Sequence, residues 1–173
     1  MSKLRDQVLA FHQKFNQPIA SIPKVPDEAM VRFRLKLIAE EFFELLEAAG
    51  YHIHAAERGS VEVGDLCRNK FQRDVDLPSF VDALADLDYV VEGTRLVFGV
   101  HGGPIADEVQ RANLSKDAVY VEAKAEHHKN ATTKPTKPPG WTPPDIAGIL
   151  RSQGWHSGCR YCGNPECHEG CRT

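Results

Sequence analysis

The sequence predicts an all-α protein: a bundle of about four to five helices with a small cysteine-rich appendage at its C-terminal end. Three observations predict it. Apolar residues recur at three- and four-residue spacing in several separate segments. Proline- and glycine-bearing breaks divide those segments. No segment keeps the strict alternation of a half-buried strand.

Ser2 can cap a first helix to about Phe15, with Leu4, Val8, Phe11 and Phe15 on one side. "NQPIASIPKVP" breaks it. Asp27 can cap a second helix from about Glu28 to Ala49, which Gly50 stops. Residues 51–77 read as a polar connection with room for a short helix. Asp76 or Pro78 opens a third helix to about Phe98, and "GVHGGP" closes it. Its core side is expected to be Phe80, Leu84, Leu87, Val91 and Phe98. Pro104 suits the first turn of a fourth helix, to about Leu114. Residues 116–140, rich in Lys, Thr and Pro, read as an irregular excursion, and a short helix from about Pro144 follows. The expected domains are residues 1–152 and a tail, 153–173.

A chain of 173 residues suits one domain with a core plus a tail. Its net charge of −3 gives no general pull toward nucleic acid or an anionic membrane. No apolar run approaches the roughly 20 residues that span a bilayer. "MSKLRDQVLAFHQKF" is too broken by charge for a secretory signal, so a cytoplasmic protein is expected. Cys67 stands alone, as a small packed residue, while the other four cysteines cluster between 159 and 171. Such clustering suits a metal site or a local redox feature rather than a disulfide framework.

Carboxylates carry the functional signal. On the second helix Glu40, Glu44 and Glu47 fall within roughly 60° of one another, with Glu41 about 60° beyond Glu44. Alone, this reads better as a solvated stripe with Lys36 pairing to Glu40. The third helix shifts the balance. Asp82 and Asp86 share a side with Tyr89 and Gly93, and residues 78–94 contain four acids and no Lys or Arg. Like charges one turn apart repel, so a face without basic partners needs cations. If the two acidic faces meet, their hard oxygen donors suit Mg²⁺ or Mn²⁺.

"LIAEEFFEL", "DALADLDYVVEGT", "DEVQRANLSK" and "KPPGWTPPDI" occur in the order found in the MazG-like, all-α nucleoside triphosphate pyrophosphohydrolases. The resemblance is closest to the branch of dimeric dUTPase-like enzymes and phage proteins, and covers roughly residues 8–150. It implies Mg²⁺-dependent cleavage between the α- and β-phosphates, giving a monophosphate and pyrophosphate. It implies metal ligands on an ExxE pair, here Glu41 and Glu44, and an ExxD pair whose Asp is Asp86. Glu40 becomes an additional ligand or, with Glu41, the group beside the attacking water. The Glu of ExxD is replaced by Ala83; Asp82, one turn from Asp86, is the expected stand-in.

Arg111 and Lys116 suit phosphate oxygens and stabilisation of the leaving pyrophosphate, and Asn113 suits sugar or phosphate. A basic helix C-terminus complementing its dipole is the plain alternative. Lys137 and Trp141 sit on a proline-stiffened loop as substrate-binding candidates, against a core-capping role for Trp141. His12, with Phe11 and Phe15, is a candidate for the base pocket, although a core face suits the two phenylalanines better.

The tail "HSGCRYCGNPECHEGC" spaces Cys159, Cys162, Cys167 and Cys171 like a miniature zinc knuckle, against a disordered or disulfide-bonded tail. So few helices make an incomplete bundle, so a homodimer or higher homo-oligomer is expected, as the resemblance also implies. Two rivals stand beside the pyrophosphohydrolase reading. One is a nucleic-acid-binding or adaptor protein acting through the tail, against which the acidic helices count. The other is a phosphoribosyl-ATP pyrophosphatase-like hydrolase.

Overall fold

A computed structural model of the chain describes residues 3–51, 74–120 and 133–156. Among them, in order, are α1 (Lys3–Lys14), α2 (Glu28–Ala48), α3 (Leu77–Val97), α4 (Gly102–Leu114), β1 (Asp117–Tyr120), β2 (Thr133–Thr136) and α5 (Ile146–Ser152). They fall in two compact units, one holding α1–α3 up to Val100, the other His101–Trp155.

Side chains set the helix starts. Asp27 Oδ1 accepts the Met30 N–H at 2.7 Å and caps α2. Asp76 does the same for α3, accepting from the Ser79 N–H at 3.4 Å and the Ser79 hydroxyl at 2.9 Å. Gly50, at φ +85°, ends α2 in the left-handed conformation that glycine tolerates.

In the first unit α1 and α2 both pack on α3. The seam is unusually polar. Beside Val8, Ala83, Leu96 and Val97, it buries Arg5, His12, Arg34 and Glu92. Glu92 is held by Arg5 at 3.0 Å and Arg95 at 2.9 Å. Arg34 donates to Thr94 Oγ1 at 3.1 Å and to the Val90 carbonyl at 2.7 Å. Gly93 makes that approach possible: a Cβ there would stand 2.6 Å from Arg34 Nη2 and 3.0 Å from His12 Nε2. Every buried ion here has partners, and removing one partner of such a pair typically costs about 3–5 kcal/mol.

This seam corrects the expected core side of α3. Gly93 and Ala83 are buried, whereas Leu84 is 41% exposed and Phe80, Leu87, Val91 and Phe98 are half-buried. The small residues face the neighbouring helices because only they allow close approach. Much of the apolar side is left uncovered within the chain.

His12 yields a pH prediction. It is buried, and its Nδ1 bonds the Pro18 carbonyl at 3.0 Å. Burial lowers its pKa, the bond to Pro18 opposes this, and the Arg34 charge lowers it further. The unfolded chain then binds a proton that the folded chain resists. Stability is expected to fall as pH drops below the ordinary histidine value of about 6.5, and to go on falling toward the lowered folded value. Urea unfolding midpoints between pH 7.5 and 5 check this: His12→Asn should flatten that part of the profile, and an unchanged slope contradicts it.

In the second unit α4 lies against α5. Gln153 joins them, accepting the His101 N–H at 2.9 Å and donating to the His101 carbonyl at 3.0 Å. The excursion at 116–140 is not wholly irregular, because β1 pairs antiparallel with β2, from Asp117 opposite Thr136 to Tyr120 opposite Thr133. Val119, Tyr120, Thr133 and Thr136 favour strands, and Pro135 is tolerated where a strand has an edge.

Candidate active site

The backbone N–H of Asp76 bonds the Ala48 carbonyl at 3.0 Å, so the start of α3 lies beside the end of α2. Between them is a cavity of about 610 Å³ lined by Glu44, Glu47, Ala48, Asp74, Asp76, Ser79, Asp82 and Ala83. Five of those residues are acids and none is a base. One turn back on α2, Glu41 is partly buried. Burial first, then the charges of Glu44, Asp86, Glu40 and Asp82, hold its carboxyl above the ordinary carboxylate range. The two acidic helix faces therefore meet, and Glu40, Glu44, Asp82 and Asp86 all lie within electrostatic reach of Glu41.

Lys36 reaches Glu40 at 3.3 Å, but both side chains are exposed and the pair offsets little of this charge. The donor set is oxygen alone and anionic, which fits a hard divalent cation and not a soft one. Among the described residues no three His, Cys, Asp or Glu side chains already converge tightly enough to hold an ion. Ala83 is buried and lines the cavity without a donor. Sequence reasoning missed Asp74 as a lining residue and read Asp76 as a cap alone. No periodicity places residues in a connection; the one signal was a D-x-D pair just before the proline of α3.

Asn113, Lys116, Lys137 and Trp141 gather in the second unit. Trp141 Nε1 donates to the Ala112 carbonyl at 2.9 Å. Lys137 Nζ stands 4.5 Å, and Lys116 Nζ 5.9 Å, from the Trp141 ring centroid. Lys116 also donates to Asn113 Oδ1 at 2.8 Å. Arg111 is differently placed: Nε and Nη2 each donate to Glu108 at 2.8 Å. Those bonds, then the Asp145 N–H, hold the Glu108 carboxyl down to about 2, so this pair stays charged throughout the neutral range.

The candidates on α1 part company. His12 is in the core, with no open edge for a substrate. Phe11, expected in a core face, is 42% exposed and meets Tyr89 edge-on at 5.7 Å. Cys67 and the four tail cysteines, Cys159, Cys162, Cys167 and Cys171, lie outside the described residues.

Facing carboxylates on the helices of a largely helical chain are compatible with the all-α pyrophosphohydrolases, as with other carboxylate-bearing bundles. The sequence model of the phosphoribosyl-ATP pyrophosphohydrolase family matches residues 8–113, and the chain belongs to that family. The match runs from α1 to the last turn of α4 and marks the protein as a hydrolase of the pyrophosphohydrolase kind. No curated protein matches the chain. Among the described residues, no helix is long and apolar enough to cross a membrane.

Proposed function

We propose that this protein hydrolyses a nucleoside triphosphate between its α- and β-phosphates, releasing the monophosphate and pyrophosphate. The observation that carries the reading is Glu41, beside four further carboxylates supplied by two helices with no base in the cavity they border. Glu41, Glu44 and Asp86, with Asp82 in place of the donor that Ala83 lacks, would hold Mg²⁺ or Mn²⁺. Such an ion, when bound, neutralises phosphate oxygens and lowers the pKa of water. A water ordered beside Glu40 and Glu41 loses its proton to one of these carboxylates as its oxygen bonds to the α-phosphorus. The bond from that phosphorus to the α,β-bridging oxygen breaks, and pyrophosphate leaves with the electron pair. Lys116 and Lys137, gathered in the second unit, have the charge that a phosphate chain needs, and Lys116 donates to Asn113 Oδ1.

A second reading, phosphoribosyl-ATP as the substrate, is favoured by the family description and breaks the same kind of bond. A panel of ribo- and deoxynucleoside triphosphates and phosphoribosyl-ATP, assayed for pyrophosphate with and without Mg²⁺, tests both. Turnover confined to phosphoribosyl-ATP selects the second, and no turnover of any member rejects both. The uncovered apolar side chains, among them Leu35 at 60% and Leu84 at 41% exposure, support assembly into a homodimer.

The tail carries a separate proposal, from its spacing alone: Cys159, Cys162, Cys167 and Cys171 bind zinc. Protein purified under reducing conditions without chelator should carry about one zinc per chain, at four ligands per structural site. Deletion of residues 156–173 should remove the metal and leave the helices folded by circular dichroism. Zinc-free protein whose thiols react at once contradicts this.

A further inference from the structure

We propose that the Glu108–Arg111 ion pair is a positioning clamp, fixing the loop that sets Lys137 beside Lys116 to bind the substrate's phosphate chain. This rests on the pyrophosphohydrolase reading and gives Arg111 a role other than direct phosphate contact.

Glu108 and Arg111 lie three residues apart on α4, and Arg111 grips both oxygens of Glu108 in a planar fork. The pair also reaches the loop. Glu108 Oε1 accepts the Asp145 N–H at 3.0 Å, and Arg111 Nη2 donates to the Pro143 carbonyl at 3.4 Å. Nearer the start of the loop, the Trp141 indole N–H bonds the Ala112 carbonyl, in the last turn of the same helix. Just ahead of these fastenings the chain turns tightly, with the Trp141 N–H on the Pro138 carbonyl at 3.0 Å and Gly140 at φ +77°. That turn fixes Lys137, just ahead of it, against the indole ring that Lys116 approaches from the helix end.

Two ammonium groups drawn to one ring repel each other unless an anion lies between them. The attraction of each for the indole offsets part of that repulsion. A diphosphate group, carrying negative charge on neighbouring phosphoryl oxygens, can meet both ammoniums at once. The Arg111 fork is occupied by Glu108 and a backbone carbonyl, so it stiffens the frame. Ordering a long side chain and its loop before binding lowers the cost of binding.

The test uses the full chain. Glu108→Ala removes the ion pair and the bond to the Asp145 N–H, and Glu108→Gln keeps an acceptor for the Asp145 N–H while weakening the fork. Glu108→Ala should raise KM about tenfold, as expected from lost ordering of one side chain and its loop, with kcat changed far less. Glu108→Gln should fall between it and the wild type. Combined with Lys137→Ala, Glu108→Ala should add no further rise in KM, because both act on the same contact. A merely structural role would multiply the two effects, lower kcat and KM affinity together, and overturn the proposal.

A second arm needs no turnover. In Trp155→Phe protein, Trp141 is the remaining tryptophan, and its fluorescence should respond saturably to inorganic pyrophosphate. Adding Glu108→Ala should weaken that apparent affinity about tenfold. Saturable pyrophosphate binding without turnover of any triphosphate would reject the activity and leave the clamp standing. No pyrophosphate binding, or binding unchanged by Glu108→Ala, overturns the clamp itself.

Discussion

Glu41→Gln should lower turnover at least ~100-fold, equivalent to about 2.7 kcal/mol of barrier, while helical content stays unchanged. The substitution keeps the shape of the side chain and removes its charge. Glu41 is the carboxylate on which the others act: its pKa rises through burial and then through Glu44, Asp86, Glu40 and Asp82. A group under that much like charge gains most from a nearby cation, and so loses most when neutralised. Removing its charge should also make the isolated cluster less repulsive, so the apo protein should be no less stable. Lost activity with preserved thermal stability is the signature. A Glu41→Gln protein as active and as Mg²⁺-dependent as the wild type would remove Glu41 from the site.

Asp86→Asn should abolish activity, whereas Asp82→Asn should weaken Mg²⁺ binding and be partly rescued by more metal. Asp86 matches the Asp of the ExxD pair and is therefore expected to be the stronger ligand; it also weighs on Glu41 ahead of Asp82. Asp82 both lines the cavity and acts on Glu41, which is where a substitute for a donor at position 83 must lie. Its side chain is nonetheless exposed, which leaves a competing role as surface charge beside a site of three protein carboxylates. A Mg²⁺ titration separates the two. A rightward shift for Asp82→Asn assigns it to the metal, and a curve superimposable on the wild type assigns it to the surface.

Local chemistry was legible in the sequence. Asp27 and Asp76 each cap a helix through bonds made within three residues, and helical spacing put Glu41, Glu44, Asp82 and Asp86 on faces that do meet. What the sequence hid depends on distant partners. The buried side of α3 is chosen by Arg34 and His12 crossing Gly93, two side chains from other parts of the chain, so hydrophobic patterning pointed the wrong way. The β1–β2 ladder joins segments too short to show alternation. Nor could the sequence show that Arg111 bonds both Glu108 and a loop more than thirty residues away. Asp74 and Asp76 reach the cavity because the chain folds back onto Ala48.

The activity proposed for this chain is cleavage of the α–β phosphoanhydride bond of a nucleotide. Its most direct test is ³¹P NMR of the products formed by the wild-type protein from each triphosphate and from phosphoribosyl-ATP, with Mg²⁺ and with excess chelator. The expected spectrum with Mg²⁺ shows nucleoside monophosphate and pyrophosphate rising together, and no reaction with chelator or with Glu41→Gln. Nucleoside diphosphate with inorganic phosphate, or no product from any substrate, would contradict it.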